Sequence, residues 1–108
     1  MMLLHSTIPI LAVGTHPEIM ATLHRLIHKM EGFSCVCALT LEDAITQAGQ
    51  HPFGLVLLSS GLDDTTERRL RTALQQLQPQ TPVIQHYGGG SGLLYNEITE
   101  ALHQQPKP

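Results

Sequence analysis

The chain has 108 residues, 42% hydrophobic and 14% charged, which suits one folded domain with a buried core. A net charge of −3 and an aromatic content of 4% exclude a broad nucleic-acid surface and a base-stacking platform, and give no pull toward an anionic membrane. No apolar stretch approaches the ~20 residues of a membrane span, and Met1–Leu4 is too short, and lacks the basic start, for a secretory signal, so the expectation is a soluble cytoplasmic protein.

Ile8–Val13 is a continuous apolar run with Pro9 near its start, suited to a strand buried on both faces. Gly14-Thr15-His16-Pro17 turns the chain, and Pro17 suits the first turn of a helix. Across Glu18–Glu31, Ile19, Met20, Leu23, Leu26, Ile27 and Met30 form one apolar stripe at helical spacing, and Gly32 stops that helix. Phe33–Ala38 is the second strand, with Phe33, Cys35 and Cys37 on one face. Two cysteines two apart in a strand are poorly placed for a disulfide, so Cys35 and Cys37 read as buried free thiols. Thr40 is placed to cap a second helix, with Asp43 at the return position of a capping box and Ala44, Ile45 and Ala48 facing inward.

Gly49 and Pro52 end that helix, and Leu55–Leu58 is a third strand, apolar at every position. Ser59–Asp64 is a polar loop. Asp64 with Glu67 gives a second capping-box pattern, opening a helix to about Gln78 with Leu70, Ala73, Leu74 and Leu77 inward. Pro82–His86 is a fourth strand. Tyr87-Gly88-Gly89-Gly90-Ser91-Gly92 reads as a flexible link. Leu94, Ile98, Ala101 and Leu102 line a last helix, and the tail 104–108 reads as frayed. The expectation is a single domain over residues 1–108, a three-layer α/β sandwich. Right-handed crossovers in such a fold place helices on both faces of a parallel sheet.

These residues resemble the receiver domain of bacterial response regulators, the CheY-like fold. The resemblance rests on Ile10-Leu11-Ala12-Val13-Gly14-Thr15-His16-Pro17-Glu18, Glu31-Gly32-Phe33, Leu41-Glu42-Asp43-Ala44-Ile45, His51-Pro52-Phe53-Gly54-Leu55-Val56-Leu57-Leu58 and Thr81-Pro82-Val83-Ile84. It spans roughly residues 8–86. It implies a flavodoxin-like parallel sheet of four to five strands in the order 2-1-3-4-5. Only Gly88–Leu94 separates the fourth strand from the last helical pattern, so a receiver's fourth helix has no room. A short fifth strand at Gly92–Tyr95, with Asn96 capping the last helix, is one way to complete the sheet.

The family's chemistry does not carry over with its scaffold. Receivers hold Mg²⁺ through acids after the first strand, where this chain has Gly14 and Thr15. Their phosphate-accepting aspartate ends the third strand, where Ser59 stands; their hydroxyl residue ends the fourth, where Tyr87 or Gly88 stands. The lysine of their fifth strand has no counterpart in Leu94-Tyr95-Asn96, and Lys107 lies far into the tail. Mg²⁺ wants hard oxygen ligands, and serine cannot form an acyl phosphate. Gly14, Thr15, Ser59 and Tyr87 therefore read as a degenerate phosphoacceptor pocket, with no catalytic residue, cofactor or metal.

Other constellations are weaker. His24 and His28 have the spacing of a two-histidine metal site, but no third ligand completes it locally, and Arg25 and Lys29 discourage a cation. His16, Ser60, Asp63 and His86 fall near strand ends with Ser59 and form a possible pocket for a small ligand or metal. An acyl-transfer site on Ser59 or Ser60 with His16 or His86 lacks an acid to orient the histidine. Gly88–Gly92 ahead of a helix lacks the lysine of a phosphate-binding loop. The leading expectation is a non-enzymatic, phosphorylation-independent interaction module in bacterial signalling, with a protein partner, itself included. The alternative is a small-ligand or metal-binding domain.

Overall fold

The structure is a computed structural model that describes residues 7–59, 61–86 and 91–103. Its elements are β1 (Ile8–Val13), α1 (Pro17–Lys29), β2 (Phe33–Ala38), α2 (Leu41–Gln50), β3 (Leu55–Leu58), α3 (Asp64–Leu77), β4 (Val83–Gln85) and α4 (Ser91–His103). The strands pair in parallel in the order β2-β1-β3-β4. Ile10 stands opposite Cys35 on one side and Leu55 on the other, which fixes β1 and β3 as the buried centre of the sheet.

Alternation along the strands sends neighbouring residues to opposite faces. Ile10, Ala12, Leu55 and Leu57 pack with Met20, Leu23 and Ile27 of α1 and with Leu94 and Ile98 of α4. Leu11, Val13, Val56 and Leu58 pack with Ala44 and Ala48 of α2 and with Leu70 and Leu74 of α3. The result is the three-layer sandwich expected from the sequence. The chain steps outward from β1 to β2, then back across β1 to β3. That reversal makes the carboxyl ends of β1 and β3 a topological switch point, where open α/β sheets place their sites.

The sheet has no fifth strand among the described residues. Gly92–Tyr95, offered above as that strand, belongs to α4, and Asn96 is an exposed residue inside that helix rather than its cap. Leu94 and Ile98 are both fully buried one helical turn apart, and this 3.6-residue period outweighs a four-residue extended stretch. Only residues 86–90 separate β4 from α4, which leaves no room there for a receiver's fourth helix and final strand, and the described residues hold neither. Two further corrections are local. α1 ends at Lys29, short of Glu31, and Gly32 makes the turn with φ +93°. α3 is capped by Asp63 and not by Asp64: the Asp63 carboxylate accepts the Thr66 N–H at 2.7 Å. Glu67 then pairs with Arg71 at 2.9 Å.

At the opposite end of the sheet, Gln78 joins three segments. Its amide donates to the carbonyls of Ala48 (2.8 Å) and His51 (2.7 Å), and its Oε1 accepts the Phe53 N–H (2.9 Å) and the Thr81 hydroxyl (3.0 Å). Among the described residues no helix is long and apolar enough to cross a membrane.

Candidate functional site

β1, β3 and β4 end side by side, and the residue after each strand continues its ladder. Gly14 donates its N–H to Ala38, Ser59 to Val13 at 2.8 Å, and His86 to Leu58 at 2.8 Å. Backbone hydrogen bonds therefore fix the three positions that open this pole.

The β1–α1 and β3–α3 loops touch across it. The Thr15 hydroxyl donates to the Gly61 carbonyl at 3.2 Å. Gly61 has φ +97°, and a side chain there would run into the Thr15 hydroxyl and press on the His16 ring. The close passage of the two loops thus depends on a glycine. His16 is the first residue of the α1 cap and makes no side-chain capping bond; its ring lies over Gly61.

Ser59 is 2% exposed and is the one buried polar residue among those described. His86 is held on α4: its Nδ1 lies 2.5 Å from the Glu97 carboxylate, with the imidazole largely buried. Glu97 was not legible as a site residue, although its position three residues after Leu94 sets it beside the inward stripe of α4. It stands beside His86 as an acid able to orient the imidazole. Among the described residues, no hydrogen bond joins Ser59 to His86.

The structure brings Gly14, Thr15, His16, Ser59 and His86 to one pole. Asp63 is spent on capping α3. Ser60 and Tyr87 lie outside the described residues, as do most of the glycine run and the tail 104–108.

The hydrogen bond from the Thr66 backbone N–H, with a contribution from the Thr66 side chain, holds the Asp63 carboxyl below its usual value. A carboxyl depressed in the folded state stabilises the fold above its unfolded value and loses that contribution as pH falls through the folded one. Thermal melts from neutral pH down to about pH 3 should show this loss. Asp63→Asn keeps the cap and abolishes that part of the pH dependence, while Asp63→Ala lowers stability at neutral pH.

His24 and His28 do not converge on a vacant point. Their rings stack with centroids 4.3 Å apart, and His28 Nε2 accepts the Cys35 N–H at 3.1 Å. This contact covers part of the open edge of β2. Among the described residues, no group of three or more His, Cys, Asp or Glu side chains is arranged to hold a metal ion.

No known sequence family matches the chain, and no curated protein matches it by sequence. Solved structures do match its fold. A CheY-like receiver domain protein of Methanospirillum hungatei is similar at 19% identity and TM-score 0.78, over 93% of this chain and 97% of that one. The response regulator TrrA of Thermotoga maritima, solved with magnesium and beryllofluoride, is similar at 16% identity and TM-score 0.68, over 93% and 100%. CheY4 of Vibrio cholerae is similar at 10% identity and TM-score 0.65, over 90% and 100%. The chain has the receiver fold. Its strand ends do not have a receiver's donor set: Gly14 offers no side chain, Thr15 bonds to Gly61, and Ser59 offers one hydroxyl. These residues do not fit a hard dication.

Proposed function

We propose that the chain is a receiver-fold module of signal transduction or regulation that works without phosphorylation and without catalysis, by binding protein. The observation that supports this reading most is the composition of the switch-point pole. Phosphoryl transfer needs charge neutralisation around the transferring group, and a carboxylate to accept it as an acyl phosphate. Here Gly14, Thr15 and Ser59 occupy the positions, and the Thr15 hydroxyl is engaged by the Gly61 carbonyl of the facing loop.

The partner is a protein, and a second copy of this chain is the first to examine. β4 ends the sheet one strand short of a receiver's, with Val83, Ile84 and Gln85 half-buried along an edge that no described strand pairs. An unpaired edge is a template for strand addition. Incubation with acetyl phosphate and Mg²⁺ should leave the mass of the protein unchanged, and beryllofluoride with Mg²⁺ should leave its amide spectrum unchanged. A stable adduct sinks the reading. Sedimentation at micromolar concentration should show a dimer, and a clean monomer would leave only a different protein as partner.

His86 and Glu97 favour a second reading. A buried imidazole anchored by a carboxylate, on the same pole as the Ser59 hydroxyl, suits a small polar ligand. Binding of such a ligand would be weakened by Glu97→Gln, and strand-edge association would not.

A further inference from the structure

We propose that Cys35 and Cys37 form a two-thiolate site for a soft monovalent cation, Cu(I), reached through the cleft between α1 and the start of α2. Both cysteines are free and point from β2 to the α1 face, with Val36 between them turned the other way. Their sulfurs lie 3.9 Å apart. Cys35 is 5% exposed, whereas Cys37 is half-buried and lines a cleft of about 460 Å³ together with Met20, His24, Leu39 and Asp43. The site thus has a closed end and an open end.

The geometry favours a shared ion over a disulfide. Alternate residues of an extended strand stand ~6.6 Å apart with parallel Cβ vectors, near the limit a disulfide tolerates and aimed wrongly for one. The pair therefore stays reduced unless β2 bends. Two metal–thiolate bonds of about 2.3 Å can span up to ~4.6 Å between sulfurs, which includes the observed separation. No third His, Cys, Asp or Glu completes the set among the described residues, which disfavours the four-ligand geometry of Zn²⁺. Two soft thiolates select Cu(I). Among the described residues, Asp43 is the only Asp, Glu, Lys or Arg side chain that lines the cleft, so the approach favours a cation.

The surroundings hold the ligands in place. The Cys37 thiol reaches the Met20 carbonyl at 3.5 Å. His28 grips the backbone of Cys35, and His24, stacked on His28, forms part of the cleft wall. On binding, two S–H bonds break, two Cu–S bonds form and two protons pass to solvent; copper stays Cu(I) and nothing is oxidised.

The test is an anaerobic titration of the full chain with Cu(I) supplied as its bicinchoninate complex. One Cu(I) per chain should transfer to the protein. Cys37→Ser should weaken binding by more than about 100-fold, since loss of one of two ligands exceeds the 10–100-fold that outer partners contribute. Cys35 lies in the core, so circular dichroism checks the fold of Cys35→Ser, and the half-buried Cys37 carries the decisive variant. Unchanged binding by Cys37→Ser overturns the proposal. So does Zn²⁺ that competes on equal terms, because it would require ligands the site does not have.

Discussion

Ser59→Asp is expected to destabilise the fold by about 3–5 kcal/mol at neutral pH, and to confer no reactivity toward acetyl phosphate. The position is 2% exposed and its N–H is already bonded to Val13. A carboxylate there would be cut off from water, with Gly14 and Thr15 offering no charge to match it. Glu97 stands on the same pole and already has His86 as its partner. Burial raises the new carboxyl above its unfolded value, so the defect is full above that raised value and shrinks as pH falls toward the unfolded one. Urea denaturation should show a lower midpoint with an unchanged slope. A variant as stable as the parent that also takes up a phosphoryl group would mean the pole keeps a hidden charge-matching device.

Leu57→Ala is expected to destabilise by about 3–5 kcal/mol. Leu57 is fully buried on β3, between β1 and β4, in the cluster that joins α1 and α4 to the sheet. Truncation leaves a cavity in a central strand where neighbours on both sides are fixed by backbone pairing, so collapse is limited. A domain of this size has only about 5–15 kcal/mol in total. Leu77→Ala is the control: that leucine is 43% exposed, and its loss should stay within about 0.5 kcal/mol. Equal effects for the two variants would contradict the layer assignment.

The sheet was legible because a strand buried on both faces has a plain signature. Ile8–Val13, Phe33–Ala38 and Leu55–Leu58 were delimited residue for residue, and Pro82–His86 overran β4 by one residue at each end. Helix faces were legible in part from their 3.6-residue stripes. Leu70 and Leu74 are buried as read, but Ile19 and Leu77, read as part of the same stripes, are each 43% exposed in the first turn of α1 and at the last residue of α3, where the helix ends run past the sheet. What failed depended on choices between near-equal neighbours. Asp63 and Asp64 are both good caps, and only the path of the loop decides which one reaches the Thr66 N–H. The choice between four strands and five stayed open because the resemblance allowed an extended segment where the Leu94–Ile98 spacing argued for a helix, and the helix is what forms.

The site was half legible. That Gly14 and Ser59 bring no carboxylate to the pole could be read from identity alone. The contacts that fill the pole could not. Thr15 meeting Gly61 joins loops 46 residues apart, and no local pattern marks it. Glu97 beside His86 joins the end of β4 to α4 across 11 residues, and no local pattern marks that contact.

Gln78 has a consequence for how this sequence can drift over generations. A half-buried glutamine after a helix reads as a position where many residues are interchangeable. Yet its amide donates to two carbonyls and accepts from two donors at once. Glutamate would turn an anion toward Ala48 and His51, and leucine would take away the partner of the Phe53 N–H and of the Ala48 and His51 carbonyls. Descendants of this chain should hold glutamine here more firmly than its half-exposed place suggests.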